Sequence, residues 1–201
     1  MYEVEIKVPA DVDAVRERLR EAGAERVDAR RQRDAYYDAP HRDFAETDEA
    51  LRVRRESPLP DGIGGEAESA PAGADPAPET TKLTYKGPLL DEGSKTRAEH
   101  ETEVDDGEAM AGALSGLGFE PAAVVEKRRE FWSFAGFTVT LDRVEGVGEF
   151  VEIEREVDDE GAIEATRDEA LAALDRLGLD GDSQVRTSYL GLLLADGEGS
   201  E

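Results

Sequence analysis

The chain has 201 residues, room for one domain or two small ones. Its 49 Asp and Glu against 24 Lys and Arg leave a formal charge of −25, which argues against nonspecific binding to nucleic acid or anionic lipid, though not against a local basic pocket. The absence of Cys excludes disulfides, zinc–thiolate sites and thiol catalysis, and two His argue against a histidine-rich metal centre.

Tyr2 to Val8 alternates strictly and predicts a strand, with Val4, Ile6 and Val8 on one face and Glu3, Glu5 and Lys7 on the other. Asp11 or Asp13 caps a helix reaching about Ala22, with Val12, Val15 and Leu19 as its apolar stripe and Gly23 as its stop. Strands follow over Arg31 to Asp38 and Ala50 to Arg55, separated by a turn at Pro40. Ser57 to Thr80, rich in Pro, Gly, Ala and Glu, reads as a disordered insertion with no folded role. Strands resume at Thr81 to Gly87 and Arg97 to Val104. A short helix spans Glu108 to Leu117, with Met110, Leu114 and Leu117 turned inward. Val124 to Phe134 and Phe137 to Val144 form a hairpin around Ala135-Gly136, and Glu149 to Val157 adds a strand. A helix over Ile163 to Leu177 and a short apolar helix over Ser188 to Leu194 precede a polar tail, residues 195–201. The whole is one domain, residues 1–194, with the insertion at 57–80. A loose repeat links residues 3–37 to 99–132: an E-x-E strand, a helix ending in Gly, then a basic strand with aromatics.

Lysine is scarce. The five are Lys7, Lys82, Lys86, Lys95 and Lys127, beside nineteen Arg. Acid-rich, lysine-poor composition suits a protein of a halophile, where ~1 M salt shortens the screening length to ~3 Å. Any single acid then reads as solvated surface, and each remaining Lys becomes informative. No basic-then-apolar leader and no apolar run of ~18 residues occurs, so neither a signal peptide nor a membrane span is expected, and the cytoplasm is the simplest compartment.

The polar faces of the strands carry clusters of full charges. Arg52/Arg54, Lys82/Lys86 and Lys127/Arg129 are basic; Glu99/Glu101/Glu103 and Glu152/Glu154 are acidic. Spacing of two puts each set on one face. Any one strand alone could face water. Together, amphipathic helices covering the apolar faces of a closed antiparallel sheet would turn the charges inward. Such a lumen is costly when empty. It is reasonable when it holds a polyanion with a hard divalent cation, since Arg and Lys grip phosphate and carboxylates suit Mg²⁺ or Mn²⁺.

Glu3-Val4-Glu5-Ile6-Lys7 resembles the E-x-E-x-K signature of the CYTH, or triphosphate tunnel metalloenzyme, superfamily. Further segments match in order: QRDAYYDAP at 32–40, RDFAETDEALRVR at 42–54, TYKGP at 84–88, KTRAEHETEV at 95–104, EKRREFW at 126–132, LDRVEGVGEFVEIE at 141–154 and SYLGLL at 188–193. The RDF…TDEALR stretch is most similar to the class IV adenylyl cyclase (CyaB-type) branch. The resemblance implies an α+β fold: an eight-stranded antiparallel closed β-barrel with a charged lumen and helices outside. It implies phosphate binding by Lys7, Arg52, Arg54, Lys86, Arg97, Lys127 and Arg129. It implies Mg²⁺ or Mn²⁺ on an acidic side of Glu3, Glu5, Glu99, Glu101, Asp142, Glu152 and Glu154, with Glu3, Glu5, Lys7 and Arg54 central to catalysis.

Lys82 shares the face of Lys86 but lies outside the motif core, and Glu103 reads as inward yet past the tunnel. Tyr36, Tyr37, Phe131 and Trp132 read as core or interface aromatics, with stacking on an adenine as the alternative. Ser188-Tyr189 seats the last helix, while His41 and His100 are turn and outer-face residues. Three functions compete: a cyclase converting ATP to cyclic AMP and pyrophosphate, a hydrolase of inorganic, nucleoside or thiamine triphosphate, and a noncatalytic polyphosphate-binding module. The motifs do not separate cyclase from hydrolase, because both need the same grip. The expected partner is the triphosphate, with no nucleic acid or membrane; a homodimer is implied by resemblance only.

Overall fold

The computed structural model describes residues 2–59, 63, 79–90 and 96–198. Eight strands, β1 (Tyr2–Pro9), β2 (Glu25–Asp38), β3 (Ala50–Pro58), β4 (Thr80–Leu89), β5 (Arg97–Val104), β6 (Glu120–Phe134), β7 (Phe137–Val144) and β8 (Gly148–Val157), close into one barrel in the order β1-β5-β4-β3-β2-β6-β7-β8. Every pairing is antiparallel. Helices α1 (Val12–Glu21), α2 (Phe44–Thr47), α3 (Gly107–Gly116), α4 (Ile163–Arg176) and α5 (Tyr189–Glu198) accompany it. Among the described residues, no helix is long and apolar enough to cross a membrane.

Alternation decides which way each strand faces. Ile6 and Val8 of β1 pack with Leu19 of α1, Leu174 of α4 and Val139, Leu141 and Ile153 of β7 and β8. Burying such side chains contributes ~1.5–3 kcal/mol each, so the helices hold the apolar faces outward and leave the charged faces to the lumen. Asp11 caps α1 by accepting from the backbone N–H groups of Asp13 and Ala14. The β6–β7 hairpin turns on Ala135 and Gly136 with φ of 53° and 79°, the two left-handed residues of a primed turn whose twist matches the strands.

The order of strands also accounts for the repeat. Exchanging β1–β4 with β5–β8 maps the barrel onto itself, so the two halves are related by a pseudo-twofold axis.

Several elements differ from expectation. β2 begins at Glu25 and β6 at Glu120, earlier than predicted, because long pairing between them supplies what polar local sequence does not signal. Helix α2, capped by Asp43, was not predicted; one turn is too short to show periodicity. Leu117 is 71% exposed, not inward, since α3 ends one residue before it. Ser57 and Pro58 extend β3, and Thr80 opens β4. Within the Ser57–Thr80 stretch Ile63 is fully buried in the main core; its N–H donates to Glu130 (3.0 Å), and its carbonyl accepts from Arg143 (2.8 Å). A folded role therefore exists at that point, while residues 60–62 and 64–78 lie outside the described residues, as does Lys95. Helix α5 continues to Glu198, into the stretch expected to be a tail.

Candidate active site

The lumen is a cavity of about 920 Å³. The register round the sheet sorts its side chains into layers. At the closed end, Tyr36, Val125, Val144 and Phe150 form an apolar floor with Tyr189 of α5. Above it lie Lys7, then a layer with Glu5, Glu152, Lys127, Asp34, Arg52, Lys86 and Arg97, then one with Glu3, Glu154, Arg129, Gln32, Arg54 and Glu99. The mouth carries Arg30, Glu56, Lys82, Glu101, Phe131 and Glu156.

Two buried forks face each other across the pseudo-twofold axis. Arg54 on β3 donates from Nε and Nη2 to Asp34 on β2, at 2.7 and 2.6 Å. Arg129 on β6 makes the same fork to Asp142 on β7, with Nε to Oδ1 at 2.6 Å, and also reaches Glu152. The polarity is reversed between the halves. Asp34 further faces Arg52 (3.5 Å) and Lys127 (4.0 Å). Burial alone would raise the Asp34 carboxyl; Arg54, Arg52 and Lys127 outweigh it and hold it far below the usual carboxylate range.

Lys7, 1% exposed, donates to the carbonyl of Thr187 at 2.8 Å and stands 4.1 Å from the centre of the Tyr189 ring. Lys127 stands 4.9 Å from the same ring, and the Tyr189 hydroxyl donates to Asp142 at 2.8 Å. Tyr189 thus does more than seat α5: it ties the helix to the cations of the tunnel floor. Burial, aided by Arg129 and Arg54, pushes the Lys127 ammonium down to about 7 against the pull of Asp142 and Asp34. Below pH 7 it is charged; above, the empty tunnel holds it neutral, and a bound polyanion must bring a proton with it. The Kd for a polyanion such as tripolyphosphate, read by calorimetry, should therefore rise between pH 7 and 9, by up to about tenfold per pH unit. A flat Kd profile across that window would exclude this role for Lys127.

On β1 and β8, carboxylate oxygens of Glu5, Glu152 and Glu154 lie within 4.8 Å of one another, with Lys7 4.0 Å from Glu152. Burial, then Glu3, Glu152 and Glu5, raise the Glu154 carboxyl to about 8 despite Arg129. Three crowded carboxylates without sulfur or imidazole fit a hard divalent cation, which would remove their repulsion. Glu3 and Glu99 lie beside this group and clamp Lys86 at 3.1 and 2.7 Å. Burial pushes Glu3 up, with Lys86 opposing and Glu99 adding to it.

Every residue of the predicted set except Asp142 lines the cavity. Asp142 does not join the Glu5–Glu152–Glu154 group: its oxygens are taken by the Arg129 fork and the Tyr189 hydroxyl, so it braces a cation. Glu101 sits near the mouth, accepting from Thr84 at 2.9 Å and pairing with Lys82 at 3.0 Å. Arg97 lines the cavity while donating to the carbonyl and carboxylate of Asp48 at 2.6 and 2.8 Å. Lys82 lines the mouth; Glu103 is exposed and outside the lining. Sequence reasoning missed Asp34, Gln32 and Glu56. The inward parity of β2 and β3 carried that signal, since Asp34 and Gln32 alternate with Ala35 and Arg33.

Fold and lumen together define a class: a closed antiparallel tunnel whose opposed cations and carboxylates meet in one cavity. The CYTH domain model matches residues 1–189, and the chain belongs to that family of enzymes. A Methanocaldococcus jannaschii protein named as a candidate adenylate cyclase is 35% identical, over 96% of this chain and 98% of its own. Adenylate cyclase CyaB of Aeromonas hydrophila is 28% identical, over 94% of this chain and 86% of its own. The solved PH1819 protein of Pyrococcus horikoshii superposes with a TM-score of 0.81 at 38% identity, over 96% of this chain and 98% of that one.

Proposed function

We propose that this protein is a divalent-cation-dependent adenylyl cyclase, converting ATP to cyclic AMP and pyrophosphate. The observation that carries this reading is the Glu5–Glu152–Glu154 group facing a wall of Lys and Arg inside one closed lumen. Arg54 and Arg129 have their forks fixed by Asp34 and Asp142, so they grip phosphate without first losing side-chain freedom. The Nε of Arg52 is buried with no hydrogen-bond partner among the described residues, a donor suited to an anionic oxygen. Lys7, Lys86 and Lys127 add charge along the phosphate chain. In the reaction the ribose 3′-hydroxyl gives up its proton to solvent as its oxygen bonds to the α-phosphorus, and the bond to the bridging oxygen of the pyrophosphate breaks in line. Mg²⁺ or Mn²⁺ held by Glu5, Glu152 and Glu154 would lower the pKa of the attacking hydroxyl and neutralise the leaving charge. The cations of the lumen stabilise charge on the departing pyrophosphate.

A second reading, hydrolysis of a triphosphate, is favoured by one feature. Lys127, close to neutrality deep in the tunnel, is a group able to accept a proton from water attacking a terminal phosphorus. Pure protein in high KCl with Mg²⁺ or Mn²⁺ should be given ATP and tripolyphosphate separately. Cyclic AMP with pyrophosphate is the expected outcome; orthophosphate from tripolyphosphate would move the assignment to the hydrolase. Neither product would leave a noncatalytic binding module.

A further inference from the structure

Among the described aromatic side chains of the motif segments, Phe131 combines an inward-facing strand position with a place in the mouth layer. Tyr36 and Tyr37 are buried, and the Trp132 ring lies in the outer core, donating from Nε1 to Glu130 at 3.1 Å. Phe131 alternates with Trp132 and so faces the lumen, half-buried, in the mouth layer. Arg30 lies 5.9 Å from the ring centre on the neighbouring strand and is itself held by Asp28 at 2.6 Å and by Glu56. The β2–β6 register slips between Arg26 and Asp28, leaving Val27 unpaired beside Phe131. Val27 is 66% exposed and lines the same cavity. A bulge of this kind redirects a side chain, here an apolar one, onto the rim of a charged opening.

The layers below have a direction. From the mouth inward Arg30 and Lys82 give way to Arg54 and Arg129, then to Arg52, Lys86, Arg97 and Lys127, the layer where cations outnumber carboxylates, then to Lys7, before the apolar floor at Tyr189. A phosphate chain is best neutralised with its free end deep and its substituent outward. A bare triphosphate would have no use for an apolar ledge at the rim, whereas a flat heterocycle would.

We propose that Phe131, with Val27 beside it, is the platform on which the base of a nucleoside triphosphate stacks, its phosphates running inward toward Tyr189. This rests on the triphosphate reading of the lumen and narrows it to substrates carrying a planar organic group. Base–aromatic stacking is sequence-tolerant, so the platform favours a base over none and does not by itself select adenine.

The test compares ATP, ribose 5-triphosphate and tripolyphosphate by calorimetric titration of the full chain with Ca²⁺ as the divalent cation. Wild type should bind ATP on the order of tenfold more tightly than ribose 5-triphosphate. Phe131→Ala should bring that ratio close to one, and Phe131→Trp should keep or increase it. Val27→Ser, at an exposed position that does not challenge folding, should lower the ratio about twofold. Equal binding of ATP and ribose 5-triphosphate by wild type, or a ratio indifferent to both Phe131→Ala and Val27→Ser, would overturn the platform. In that case tight tripolyphosphate binding would leave the reading of the lumen standing. Failure of wild type to bind any of the three would remove both.

Discussion

Arg54→Ala is expected to lower kcat/KM on a triphosphate by on the order of a hundred- to a thousandfold, the loss typical when a preorganised donor to developing charge is removed. The same change should cost about 3–5 kcal/mol of folding stability, because it strips a fully buried carboxylate of its fork. Asp34 would keep only Arg52 at 3.5 Å and Lys127 at 4.0 Å. Its carboxyl, held far below its ordinary value of 3.8 in the intact protein, contributes stability above that value and loses it only in strong acid. In the variant that contribution shrinks, so acid unfolding should begin at higher pH. Arg54→Lys separates the effects: charge remains, the two-pronged geometry goes, and activity should fall between wild type and Arg54→Ala. Steady-state kinetics and urea unfolding read the two losses independently. Near-normal turnover in Arg54→Ala would show that the chemistry lies elsewhere.

The carboxylate wall makes an opposite demand on stability. Glu154 has its folded value raised from 4.5 to about 8, so between those values the folded protein holds a proton that the unfolded chain releases. Stability therefore falls as pH rises through that window, and above about 8 the full penalty of a third charge beside Glu5 and Glu152 applies. Glu154→Gln removes the penalty. In EDTA at pH 8 its Tm should exceed that of wild type by about 2–4 °C, the shift expected of ~1 kcal/mol in a chain of this size. Saturating Mg²⁺ or Mn²⁺ should reverse the ranking. Wild type gains ~2.7 kcal/mol at a hundredfold excess over Kd, and the variant much less. Turnover of a triphosphate by Glu154→Gln should drop by about a hundredfold or more. If neither cation raises the Tm of wild type, the Glu5–Glu152–Glu154 group is not a metal site.

Much of the candidate site was legible because charge and periodicity coincide. Glu3, Glu5 and Lys7 alternate with Val4, Ile6 and Val8, and no arrangement of that strand can bury both faces without sorting the charges to one side. The same holds for Arg52/Arg54 against Leu51/Val53 and for Glu152/Glu154 against Val151/Ile153. Asp34 escaped notice because a single acid between Arg33 and Ala35 in a chain with 49 acids looks like surface until its partners are known. That Asp142 forks onto Arg129 was not legible for a related reason: parity gives the face of a strand but not which neighbour an inward group meets.

From local order along the chain came the strands, their faces, the helix caps and the charge of the lumen, since these depend on residues two to four apart. Contacts distant in sequence decided the rest: that Arg54 forks onto Asp34, that Glu5 meets Glu152 and Glu154 from another strand, that Ile63 is drawn into the core, and that Phe131 stands at the mouth beside the bulge at Val27. The reason is physical. A strand's twofold repeat assigns a side chain to the inside or the outside, but the tilt of a closed barrel determines which inside residues share a level, and that offset is a property of the sheet as a whole.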